Sequence, residues 1–108
     1  MRSISAIVLL LLGAASVAFA EDSAAGAKVF ADQKCSLCHS IAGKGNTKGP
    51  LDEVGSKDAA ADIRAWIEDA PGMTEKTGAT RKPVMKAYSL PKGDVDALVA
   101  YLSGLKKK

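Results

Sequence analysis

Cys35-Ser36-Leu37-Cys38-His39 is the stretch on which the reading of this chain turns. Two thiols three residues apart, with an imidazole directly after the second, form the pattern of covalent haem attachment. Residues three apart lie on one face of a helical turn, so both sulfurs can meet the vinyl groups along one porphyrin edge. His39 stands one step further round, in place to serve the iron as proximal axial ligand. Other readings of a Cys-x-x-Cys pair are weaker here. A redox dithiol expects a strand-to-helix setting in an α/β fold, and no strand pattern flanks these residues. A structural zinc site takes four ligands, whereas the chain's 2 cysteines and 1 histidine all lie within this stretch. A plain disulfide leaves the adjoining histidine unexplained.

Upstream, Met1-Arg2-Ser3 is a short positive start to an uncharged, mostly apolar run that closes on Ala18-Phe19-Ala20. This small-x-small ending reads as the cleavage site of a secretory signal peptide. Residues 1–20 are therefore expected to be removed, leaving residues 21–108 as one domain. An uncleaved anchor is the alternative, since residues 3–20 sit at the short edge of a spanning helix. Either way Arg2 stays on the cytoplasmic side and the cysteines lie beyond the membrane, so a periplasmic location is expected. A domain of this size with so few aromatics cannot bury a large core, and such domains lean on a staple. A haem held by two thioethers is one, so the chain is expected to be largely unfolded without it.

Removing Arg2 lowers the formal charge from +3 to +2. That balance, with no basic stripe interleaved with aromatics, excludes nucleic acid as a partner class. Along the chain, Ser23 is expected to cap a helix over residues 24–34, with Ala25, Val29 and Phe30 on its apolar stripe. Gly26 inside it suggests a close crossing by another helix. Residues 40–50 are loop by composition, and the carbonyl of Pro50 is a candidate acceptor for the His39 ring nitrogen facing away from the iron. Ser56 is expected to cap a helix over residues 58–69, with Ile63, Trp66 and Ile67 on its buried face and Pro71-Gly72 ending it. Residues 73–90 lack clear periodicity and read as a long functional loop. From Gly93, Val95, Leu98, Val99 and Leu102 follow helical spacing, with Tyr101 and Leu105 alongside. Lys106, Lys107 and Lys108 suit the negative end of that helix. There are no internal repeats, and the class is all-α.

An iron held by His39 has no second histidine in this chain for its other face. Met73 and Met85 both fall in the long loop, and a thioether there would leave no vacant position and favour electron transfer. At these residues the sequence resembles the class I c-type cytochromes, small monohaem proteins with the attachment motif near the N-terminus. The resemblance covers essentially residues 21–105. Gly26 and Phe30 resemble the glycine and aromatic of the family's first helix, which crosses the last helix at an aromatic, here Tyr101. Gly49-Pro50 resembles the start of the family's Gly-Pro-x-Leu, whose proline carbonyl accepts from the proximal histidine. Met85-Lys86-Ala87-Tyr88, then Leu90 and the closing helix, resemble the family's methionine, aromatic and last helix in order. The resemblance therefore implies one covalent haem c on Cys35 and Cys38, axial ligands His39 and Met85, and N- and C-terminal helices crossing around a middle helix and haem-enclosing loops.

Three departures are visible. Leu51 follows the proline directly and Asp52 stands at the family's leucine position. Lys86 replaces the proline usual after the methionine, and Pro91 replaces a Ser or Thr helix cap. The function implied is that of an exported monomeric electron carrier, not an enzyme. Its redox partners are expected to present acidic surface to Lys34, Lys44, Lys48, Lys82 and Lys86. The alternatives are a haem sensor or small peroxidase with a labile sixth ligand, and a haem subunit of a dehydrogenase or oxidase.

Overall fold

The apolar spacings at the two ends of the domain become two helices packed across each other. The computed structural model describes residues 14–108, with side chains from Ser23 onward. Helix α1 spans Ala14–Asp32 and helix α5 spans Lys92–Ser103, and their mutual contact is the largest between any two elements. Gly26 marks the crossing: a Cβ there would overlap the Ala97 carbonyl oxygen and the Tyr101 Cβ, so only glycine lets the backbones approach this far. Phe30 and Tyr101 meet edge-on beside it, ring centroids 6.2 Å apart. The signal segment expected over residues 1–20 lies outside the described residues for 1–13. Ser23 is not a cap, because α1 runs on from Ala14 and places it in the helix interior.

α1 ends at Asp32, and Lys34, with a left-handed backbone (φ 56°), turns the chain into a single 3₁₀ turn at Cys35–Leu37. A two-stranded antiparallel ribbon follows, β1 (Ser40–Ile41) and β2 (Lys44–Gly45), the one addition to an otherwise helical fold among the described residues. A short helix α2 (Val54–Lys57) and helix α3 (Ala60–Glu68) come next. The Ser56 cap expected for the middle helix is absent, because Ser56 lies inside α2 and α3 begins after Ala59 with no side-chain cap. Ile63 and Ile67 are buried against Val95, Leu98, Val99, Leu102 and Phe30, which form the core. The buried face expected of Ile63, Trp66 and Ile67 holds for the two isoleucines only: Trp66 is half-buried and is not one of the core residues.

Pro71-Gly72 begins a helix instead of ending one. Asp69 caps helix α4 (Ala70–Thr77) by accepting from the Gly72 N–H at 3.2 Å, and Pro71 occupies the first turn, where a missing N–H costs nothing. Gly78, left-handed at φ 68°, closes it. Met73 is thereby buried on α4 and does not lie in the covering loop, which shrinks to residues 79–91. Pro91 caps α5 without a side-chain bond, as its side chain dictates. The closing lysines leave α5, which stops at Ser103. Leu105 accepts from the Gly55 N–H at 2.8 Å, Lys106 Nζ donates to the Gly55 carbonyl at 2.9 Å, and Lys107 N–H donates to Ser56 Oγ at 2.7 Å.

Candidate functional site

The 3₁₀ turn carries Cys35 and Cys38 as two free, half-buried thiols. It is closed by the Cys38 and His39 N–H groups, which both donate to the Cys35 carbonyl at 3.1 and 2.9 Å. Leu37 between them points outward and is 70% exposed. The turn's remaining carbonyls are met from the next loop. Asn46 donates its N–H to Ser36 O (3.0 Å) and His39 O (3.1 Å), and its Nδ2 to Leu37 O (3.2 Å). Its own Oδ1 accepts from the Lys48 N–H at 3.0 Å, an Asx turn that shapes the same loop.

His39 is half-buried and its Nδ1 lies 3.1 Å from the Gly49 carbonyl. A carbonyl only accepts, so Nδ1 carries the proton and Nε2 keeps its lone pair for a metal. This is the second-sphere bond expected of Pro50, displaced by one residue. The physical reason is the backbone register. Ser40 bridges Pro50 in parallel, with Ser40 N–H donating to Gly49 O at 3.0 Å and Leu51 N–H donating to Ser40 O at 2.8 Å. Gly49 O is thus held beside the ring and accepts from both Ser40 and His39. Burial pushes His39 below the ordinary imidazole value. The Gly49 bond works against that and the Arg81 charge works with it. The ring is neutral at neutral pH, the form that ligates metal. Burial likewise pushes the Cys35 thiol up.

The residues after Pro50 sort themselves around this register. Leu51 packs on the core, taking the apolar role at once, and leaves Asp52 exposed. Asp52 Oδ1 accepts from the Ala42 N–H at 2.6 Å, holding the left-handed ribbon turn (Ala42 φ 52°).

Met85 is half-buried in the loop of residues 79–91. Tyr88 N–H fastens that loop by donating to Ile67 O at 2.9 Å. Lys86 Nζ lies 5.1 Å from the Tyr88 ring centroid. The Lys86 charge works against the burial that raises Cys35, and burial first, then the nearby cysteines, push the Tyr88 hydroxyl up. Four residues before Met85, the Arg81 guanidinium lies over Gly49. The loop therefore meets the Cys-His segment on both sides of Met85. Asn46 and Arg81 are site residues that sequence reasoning did not single out, and Gly49 and Asp52 were named there only within the Gly-Pro-x-Leu resemblance. Only Asn46, a turn-former among glycines, carried a signal.

All-helical architecture, a crossing glycine and a thiol pair backed by a carbonyl-bound imidazole define a class of haem protein. The Cytochrome c family profile matches residues 23–106, and the chain belongs to that family. Its prosthetic group is covalently bound c-type haem iron. The donor set fits such a group: two free thiols on one turn and a neutral imidazole with an open Nε2. The chain is also similar to cytochrome c oxidase subunit 2 of Alkalihalophilus pseudofirmus (strain OF4), 31% identical over 91 residues. That match covers 75% of this chain but 25% of the relative, so the chain spans about a quarter of its length. No solved structure is a significant match.

Proposed function

We propose that this chain is an exported, soluble, monomeric electron carrier of the periplasm, with residues 1–20 removed as a signal peptide. Cys35 and Cys38 hold the haem, each S–H adding across one vinyl group with nothing released. His39 Nε2 and Met85 Sδ are the axial ligands. Bound there, the haem supplies a one-electron ferric–ferrous couple. The residues of this chain supply the setting. Gly49 O fixes the His39 tautomer and ring plane, α1 and α5 enclose the site, and the 79–91 loop brings Met85 and excludes water. The observation that carries the reading is the His39–Gly49 bond beside two free thiols. An optical spectrum tests it: a low-spin c-type spectrum with the weak near-infrared band of a methionine–ferric bond is expected, and Met85→Ala should abolish that band. Rapid carbon monoxide binding by the unaltered reduced protein would instead support a sensor or small peroxidase.

Among the described residues no helix is long and apolar enough to cross a membrane. Lys34, Lys44, Lys48, Lys82 and Lys86 are all exposed around the Cys-His turn and the Met85 loop, and exposed Leu37 and Val84 lie among them. An acidic redox partner fits this surface, and its association should slow as salt rises. A salt-independent rate would remove that partner class. The likeness to an oxidase subunit favours one second reading, a haem subunit docked on an oxidase. Co-purification with a membrane oxidase would support it.

A further inference from the structure

We infer that Arg81 is a positioning residue for the iron centre, packing its guanidinium on Gly49 so that the Met85 loop and the His39 imidazole are set as one unit and the ferrous state is favoured. The inference rests on the His39 and Met85 assignment proposed above.

Three observations converge on it. A Cβ on Gly49 would overlap Arg81 Nη1 and the Cys38 carbonyl oxygen, so the guanidinium fills the space that glycine leaves. Gly49 is also the residue whose carbonyl accepts from His39 Nδ1. Finally, Arg81 stands four residues before Met85 on the loop that must cover the opposite haem face, which makes it a direct strut between the two ligands' supports. Among the described residues Arg81 has no carboxylate partner within ion-pair distance, so its charge is not cancelled inside the protein.

The sign of the effect follows from charge alone. A fixed cation near the iron disfavours the more positive ferric state. That effect favours ferrous iron.

The test uses the haem-loaded protein and three variants. Arg81→Ala should move the ferric–ferrous equilibrium about tenfold toward ferric, or 59 mV lower for one electron. The methionine–ferric band should persist, and the His39 ring N–H should exchange faster by NMR. Arg81→Lys should keep most of the equilibrium, because it keeps the charge, but not the slow exchange, because it loses the planar packing. Gly49→Ala, which displaces the guanidinium, should reproduce Arg81→Ala. Unchanged potential and exchange in Arg81→Ala would overturn the inference. So would loss of the methionine band with unchanged ring exchange, which would confine Arg81 to the loop. A missing methionine band in the unaltered protein would instead strike the axial assignment on which the inference stands.

Discussion

The α1–α5 crossing and the 79–91 loop both adjoin the Cys-His segment, and they are built on opposite principles. The crossing is held by the chain's own apolar surface: Phe30, Val95, Leu98, Val99 and Leu102 are buried, and Gly26 admits the backbones to contact. The loop buries little. Residues 79–84 are all exposed, Val84 at 53%, and its backbone is tied to the rest by Tyr88 N–H to Ile67 O. A packed helix pair is ordered by burial, whereas a loop with so few internal partners needs something to close on. On the function proposed above, that something is the prosthetic group. The two regions should therefore respond differently to its loss and to mutation.

Removing the attachment is the largest perturbation. Cys35→Ala with Cys38→Ala should leave bare polypeptide by intact mass. The small core then loses its staple, and far-UV circular dichroism should show most helix content gone. Amide exchange in the haem-loaded protein should already rank the regions, with the 79–91 loop fast and the Leu98–Leu102 amides slowest. Native helix content in the double variant would break the comparison on one side, by showing that the crossing stands alone.

A smaller but still large effect is expected at the crossing itself. Gly26→Ala gains about 1 kcal/mol of helix propensity. It also forces a methyl against the Ala97 carbonyl, a backbone atom that cannot swing aside, and overpacking costs about 1–3 kcal/mol. We expect net destabilisation of up to about 2 kcal/mol. In a domain this small that lowers the melting midpoint by several degrees, with the haem spectrum unchanged below the transition. The equivalent change at Lys82 in the loop should leave the midpoint nearly where it was. Equal losses at both positions would erase the distinction between the regions.

What was legible in the sequence follows the same division. Residues whose meaning is covalent or periodic were readable: the Cys-x-x-Cys-His turn, the crossing glycine and the buried spacing of α5 all reflect short-range rules. The errors came where one residue has two local meanings. Pro71 can stop a helix or occupy its first turn, and Asp69 three residues before Gly72 decided between them. With α4 capped there, Met73 is buried on the helix and not in the loop where the sequence pattern alone puts it. Ser23 and Ser56 have the chemistry of caps, but chain continuation in one case and the α2 turn in the other override it. The His39 partner was placed one residue late. A parallel bridge between Ser40 and Pro50 sets which carbonyl faces the ring, and long-range register of that kind has no sequence period to reveal it. Arg81 was illegible for the same reason: it touches Gly49 only because the loop folds back across the turn.

The smallest predicted effect lies on the crossing side, where surface charge ties α3 to α5. Asp96 accepts from Lys92 Nζ at 2.8 Å and from Arg64, which also reaches Glu68 at 3.4 Å. Lys92 first, and then Arg64, hold the Asp96 carboxyl below its ordinary value. A carboxylate lowered in the folded state stabilises the fold fully above its unfolded value and loses that contribution as pH falls through the lowered one. All four side chains are substantially solvent-exposed, so screening keeps the contribution small. Asp96→Asn should therefore lower the melting midpoint slightly near neutral pH and low salt. The difference from the unaltered protein should shrink both on acidification below the carboxylate range and on adding salt. A difference that persists at low pH and high salt would mean that Asp96 acts through packing of α3 on α5 and not through charge. The α3–α5 seam would then owe its order to contact alone.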